Sequence, residues 1–288
     1  MDKQALIDAI RRSGGKPNAL DEVDALWARL DYLDKTARFK LLLSQLSKAN
    51  DTSNFLASVL EATFAYQFES QGLELTYEIR QDTHHNSSID FLQKTSMGDS
   101  VYFELRLLQQ TKIIKGWINA QLQKSKFYRV IMNEHGERDE IIRIQNTIVD
   151  KVQDKNGNPI KFFSSATDVV NIAVLDATES MLGTIDIRDC MLATHGDPAV
   201  EVSYRRQVFG LFQEDKPEYP QCVHNLAVKY ARIRNTLHGV LFLFKKPNTG
   251  ILAYQLEQQL MWNPMLIDSI RTRPICADIA RAIPVRRQ

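Results

Sequence analysis

The chain has 288 residues, 44% hydrophobic and 25% charged, which suits one large or two small globular domains around a sizeable core. It carries 36 Lys and Arg against 35 Asp and Glu. That balance excludes any general electrostatic drive towards nucleic acid, membranes or acidic ligands, and leaves such binding to local patches.

In chain order, a short helix is expected over residues 3–12, broken by Ser13-Gly14-Gly15 and Pro17. Asp21 is placed to cap a second helix, with Asp24 in its first turn. Leu26, Leu30, Leu33, Leu42 and Leu46, with Trp27, Phe39 and Leu43 beside them, form one stripe of a long amphipathic helix. The stripe suits packing against the rest of the chain or against a second copy in a homodimer. Asp51-Thr52-Ser53 caps a further helix over 54–70, which Gln71-Gly72 stops.

From there the apolar period becomes two. Strands are expected over 73–80, 87–94 and 101–108, the last two joined by a turn at Gly98-Asp99. Residues 111–127 fit either a helix or a strand followed by a helix. Residues 138–153 read as a helix, with Ile141, Ile144, Ile148 and Val152 on one side, and Asn156 to Pro159 as a turn. The run from Asp168 to Asp176 is apolar enough for a strand buried on both faces. A helix follows over 221–236, then a second buried strand from Gly239 to Lys245. The remainder is expected to be irregular or helical, ending in a basic stretch from Arg281 to Arg287.

The order predicts an α/β protein whose mixed central sheet is flanked by helices. Residues 1–50 would form an N-terminal helical extension, 51–250 the core, and 251–288 a tail packed on it. Cys190, Cys222 and Cys276 form no CxxC pair and suit neither a disulfide framework nor a zinc site. The N-terminus lacks a signal-like apolar run, and no uncharged run approaches 20 residues. The expected setting is the cytoplasm, without a membrane.

Chemistry is suggested where polar residues stand at positions that should be buried. Asp90 lies in the strand SSIDFLQ. Glu104 and Arg106 alternate with Phe103, Leu105 and Leu107, so they share one face of the next strand. The hairpin can bring Asp90 to that face, and Glu61 lies in the preceding helix. Carboxylates converging at a sheet edge suit Mg²⁺ or Mn²⁺, which take oxygen ligands and can activate water against a phosphodiester. The same residues also have plainer readings: an ion-paired strand face, a turn-capping Asp90 and a solvated Glu61.

A helix bearing Glu, a strand, an Asp opening the next strand, and Glu-x-Lys on the one after resembles the core of the PD-(D/E)XK nuclease superfamily. The resemblance runs over residues 54–108, with 138–176 continuing in the expected order. It implies a restriction-endonuclease-like fold and a Mg²⁺- or Mn²⁺-dependent nuclease acting on nucleic acid, DNA foremost. Glu61, Asp90 and Glu104 would be metal ligands, and Asp90, Glu104 and Arg106 catalytic. Arg106 stands where the family has Lys. It is bulkier and does not deprotonate, and Lys112 and Lys115 are candidates for the missing ammonium. A catalytically inactive module that binds nucleic acid or protein is the alternative.

Other groups carry less. Gln121, Gln123 and Tyr128 fit a Gln…Tyr spacing poorly, and Asp176 and Glu179 suit a turn after a strand. His84-His85 lacks a third ligand, and His195, His224 and His238 show no partner pattern. No P-loop, GxSxG or HExxH motif is present, which argues against the enzyme classes they mark.

Overall fold

The structure, a computed structural model, describes residues 2–14, 22–80, 87–108, 120, 123, 134–162, 167–178, 185–197, 208–219 and 221–286. Its helices are α1 (Lys3–Arg12), α2 (Val23–Lys35), α3 (Lys40–Lys48), α4 (Thr52–Glu69), α5 (Glu134–Val152), α6 (Ile187–Thr194), α7 (Gln221–Thr236) and α8 (Ser269–Ala282). Six strands form one sheet in the order of the chain: β1 (Leu75–Arg80), β2 (Ser88–Lys94), β3 (Ser100–Leu107), β4 (Val169–Asp176), β5 (Gly239–Lys245) and β6 (Leu256–Trp262). β1 to β3 pair antiparallel, β3, β4 and β5 run parallel, and β6 is antiparallel to β5. Parallel neighbours need long crossovers. α5 lies within the first, and α6 and α7 within the second. The chain is therefore an α/β protein with a mixed sheet flanked by helices.

Alternation along the strands supplies two cores. Val170, Ile172 and Val174 of β4 join the cluster built by α1 to α4 and α8, whereas Ala173 and Leu175 join that of α5 to α7. Every residue of β4 is buried, as a strand covered on both faces requires. Phe64 and Phe68 of α4 meet Phe103 of β3 edge to face with ring centroids 5.5 and 5.6 Å apart, which anchors α4 across the hairpin strands.

The N-terminal leucine stripe is spent inside the chain. Leu26, Leu30, Leu33, Leu42, Leu43 and Leu46 share the buried cluster of α4. The single long helix expected there is instead two, with α2 ending at Lys35 and α3 starting at Lys40. Ala37 adopts φ +61°, and Thr36 Oγ1 donates to the Leu33 carbonyl at 2.8 Å. The cause is visible in the spacing: Ala37 and Lys40 occupy the positions where the stripe after Leu33 should continue. The turn re-aims Leu42 to the core.

Glu22, not Asp21, takes the cap position of α2, and it makes no side-chain bond to the helix. Asp21 lies outside the described residues. The Glu22 carboxylate accepts the N–H groups of Ile251, Leu252 and Ala253 at 2.6, 2.6 and 3.1 Å. Arg29 donates to the carbonyls of Tyr254 and Ala253 at 2.6 and 2.7 Å. Together they tie α2 to the β5–β6 connection.

Residues 256–262 and 269–282, read from the sequence as irregular or helical, form β6 and α8. The outer edge of β6 is covered at Gln258, whose N–H donates to Pro284 O and whose carbonyl accepts Arg286 N–H, both at 2.9 Å. No helix among the described residues is long and apolar enough to cross a membrane.

Candidate functional site

The β2–β3 turn forms as its Gly98-Asp99 pair predicts, with Gly98 at φ +92° and Thr95 N–H donating to Asp99 O at 2.9 Å. From there β2 and β3 pair from Lys94↔Ser100 to Phe91↔Phe103 and stop one step before Asp90 would meet Glu104. The β1–β2 register likewise passes from Tyr77↔Phe91 to Ile79↔Ile89 without joining Glu78 to Asp90. The β1–β2 and β2–β3 pairings thus both skip one row, while β3 stays paired to β4 through Glu104↔Ala173, and all three side chains of that row are carboxylates. Glu78 sits at φ +55°, a conformation rare outside glycine. Its Oε2 accepts the Ser88 hydroxyl at 2.8 Å. Asp90 Oδ2 accepts Leu105 N–H at 2.6 Å, replacing a ladder bond with a side chain.

Glu61 reaches this row from α4. Its Oε2 lies 2.7 Å from the Tyr77 hydroxyl, which lies 2.8 Å from Gln45 Oε1. One phenolic proton cannot serve two acceptors. A proton on Glu61 completes the chain, with Glu61 donating to Tyr77 and Tyr77 to Gln45. The electrostatics agree. Burial, reinforced by the charges of Glu78 and Glu104, pushes Glu61 up to about 7, against the opposing Tyr77 hydrogen bond and Lys151. Asp90 is held well above the usual carboxylate range, first by burial and then by Glu104 and Glu61. Burial and the neighbouring Glu61 also raise Tyr77.

Glu61, Asp90 and Arg106 line one cavity of about 420 Å³, with Ser53, Asn54 and Ala57 of α4 on one wall and Thr147, Asp150 and Lys151 of α5 on the other. Glu104 lies behind it, 1% exposed. Arg106 is exposed, and no carboxylate of the described residues pairs with it. The expectation that Glu104 and Arg106 share a face, with Asp90 and Glu61 near, matches this arrangement.

Sequence reasoning missed the cations that meet Glu104. Lys151 Nζ contacts Oε1, and Lys161 Nζ lies 3.3 Å from Oε2 while also reaching the Ser88 carbonyl. Lys151 stands one residue before Val152, with which α5's apolar stripe continues, so the local pattern did not single it out. Glu78, Tyr77 and Gln45 were missed as well, since tyrosine, glutamate and glutamine at such positions are ordinary surface or edge choices.

The remaining candidates separate from the site. Lys112, Lys115, His84, His85, Gln121, Tyr128 and Glu179 lie outside the described residues, and Gln123 is exposed. Asp176 accepts Thr178 N–H at 2.8 Å, a turn-forming role. His195 bonds the Trp262 carbonyl at 2.9 Å, His224 pairs with Asp215 at 2.8 Å, and His238 Nδ1 accepts Asn171 N–H at 3.1 Å. Cys190 is buried and Cys276 half-buried, both as free thiols.

Could the acidic row hold a divalent ion? Among the described residues no three His, Cys, Asp or Glu side chains are spaced to enclose one. The donor chemistry nevertheless suits a hard cation that keeps several waters and needs one or two carboxylates. If an ion bound here, Asp90 and Glu104 would be the pair to supply them, with Glu61 beside. Glu104 Oε2 is buried and receives no well-directed hydrogen bond.

No protein-family model matches the chain, and no curated protein matches it. Among solved structures, SfsA of Pyrococcus furiosus in complex with Ca²⁺ is similar at 8% identity and a TM-score of 0.24, over 74% of this chain. The chain spans 65% of that protein's length.

Proposed function

We propose that this chain is a divalent-metal-dependent hydrolase of nucleic-acid phosphodiesters, DNA foremost, with a restriction-endonuclease-like site of the PD-(D/E)XK kind. The reading rests on one observation: a helix carboxyl and a row of strand carboxylates converge where the β1–β2 and β2–β3 pairings both skip a residue, beside a cavity that also holds Arg106 and Lys151. Asp90 and Glu104 would hold Mg²⁺ or Mn²⁺, with Glu61 assisting directly or through a water. Bound there, the ion would supply an activated water and offset charge on the phosphate. Arg106 and Lys151 would hold the phosphate from the β3 and α5 sides of the cavity, Arg106 in the bidentate manner a guanidinium allows. Tyr77 and Gln45 would hold the Glu61 carboxyl in place.

A second reading, a catalytically inactive module that binds nucleic acid or a protein, is favoured by Arg106 in place of Lys and by the two ammoniums already facing Glu104. Asp90→Asn and Glu104→Gln separate the two. Under the hydrolase reading each abolishes metal-dependent cleavage by the purified protein while the thermal melt stays cooperative. Under the binding reading neither changes nucleic-acid affinity in a metal-dependent way, and the wild type cleaves nothing.

A further inference from the structure

Both oxygens of the Glu104 carboxylate face ammonium groups, yet the two lysines are held differently. Lys161 comes from the segment after α5, is 15% exposed in its side chain, and also reaches the Ser88 carbonyl. That second bond ties it to β2, so it bridges the gap where β2 and β3 have ceased to pair. Its approach to Glu104 is the longer one, at 3.3 Å. Lys151, 22% exposed, projects from α5 into the cavity and meets Glu104 at Oε1. Among the described residues Glu104 is its only hydrogen-bond partner.

We infer that Lys151 is a displaceable internal counter-ion of Glu104, which gives up Oε1 to a divalent cation and swings into the cavity, whereas Lys161 stays as the fixed counter-charge that braces the parted strands. The inference rests on the metal-dependent reading above and adds its regulation: the site is closed by its own lysine until a cation competes for the carboxylate. An ammonium and a divalent ion cannot share one carboxylate oxygen without strong like-charge repulsion. The ammonium, on a flexible four-carbon stem, is the member able to move. Once displaced it remains on the cavity wall beside Arg106, where a phosphate would lie.

The consequence runs against ordinary intuition for an active-site lysine. Lys151→Met should bind Mn²⁺ more tightly than wild type, by about tenfold or more from the removed repulsion, while cleaving nucleic acid far more slowly. Lys151→Arg, which keeps the charge, should hold Mn²⁺ affinity near the wild-type value. Titration of the intact, EDTA-stripped protein with Mn²⁺ by calorimetry reads affinity without reference to activity. Should Lys151→Met fail to fold, the wild type itself reports. Acetic-anhydride labelling followed by mass spectrometry should find Lys151 several-fold more reactive with Mn²⁺ present and Lys161 unchanged. Equal or weaker Mn²⁺ binding by Lys151→Met, or labelling of Lys151 that ignores Mn²⁺, overturns the exchange while leaving the hydrolase reading standing. No Mn²⁺ binding by any of the three proteins at millimolar metal overturns both.

Discussion

Glu61→Gln offers the clearest test of the electrostatics that define the site. The amide N–H₂ keeps a donor for the Tyr77 oxygen, now 2.7 Å from the carboxylate, and the change removes the ability to ionise. In the folded chain Glu61 holds its proton up to about 7 instead of the ordinary 4.5. Below 4.5 the group is protonated in both folded and unfolded chains and contributes no difference. Between 4.5 and 7 only the folded chain keeps the proton, so stability falls as pH rises. Above 7 the fold must carry a buried charge, and the loss is complete. At about 1.36 kcal/mol per pH unit, that loss is ~3 kcal/mol. Glu61→Gln should therefore match wild type in urea melts near pH 4.5 and exceed it by ~3 kcal/mol at pH 8, both in EDTA. At roughly 2 °C per kcal/mol for a chain of this size, the melting temperature at pH 8 should rise by about 6 °C. A stability difference equal at pH 5 and pH 8 would refute the assignment of a buried carboxyl to this position.

Other predictions concern the scaffold that holds the row in place. Glu69 pairs with Arg38 and accepts Leu75 N–H at 2.7 Å while 6% exposed. Glu69→Ala leaves the Leu75 N–H without its acceptor and Arg38 with only Glu74 at 3.4 Å, and should cost about 1–3 kcal/mol by urea denaturation, whereas a cost near zero would show the pair to be solvated. A Cβ at Gly250 would meet Glu22 Oε2 at 2.5 Å, so Gly250→Ala should cost about 1–3 kcal/mol. Combined with Glu22→Ala the two costs should fall short of their sum, since the first variant already disturbs the bonds the second deletes, and strict additivity would contradict that clamp.

Much of this architecture is legible in the residues because it depends on short-range patterning. The period of two from Leu73 to Leu108 and the Gly98-Asp99 pair define the hairpin. The unbroken apolar runs at Asp168–Asp176 and Gly239–Lys245 mark strands buried on both faces. Polar Asp90, Glu104 and Arg106 inside strand patterns point to the site without any knowledge of the fold. What the patterns hide is tertiary in origin. β6, LEQQLMW, carries glutamines on positions that pair with β5 and the C-terminal segment, so its strand character comes from neighbours rather than from alternation. The break between α2 and α3 follows from a pause in the leucine spacing at Ala37 that a stripe drawn by eye bridges. Lys151 and Lys161 lie 47 and 57 positions from Glu104 along the chain, and only the crossover through α5 brings them to it.

The most direct test of the central claim is to incubate wild-type protein with labelled double-stranded DNA, single-stranded DNA and RNA, each with Mg²⁺, Mn²⁺ or EDTA. Cleavage of a nucleic acid, DNA foremost, that requires the divalent ion and vanishes in EDTA is the predicted result. Intact substrates under every condition, with Mn²⁺ failing to bind the protein, would contradict a metal-dependent hydrolase.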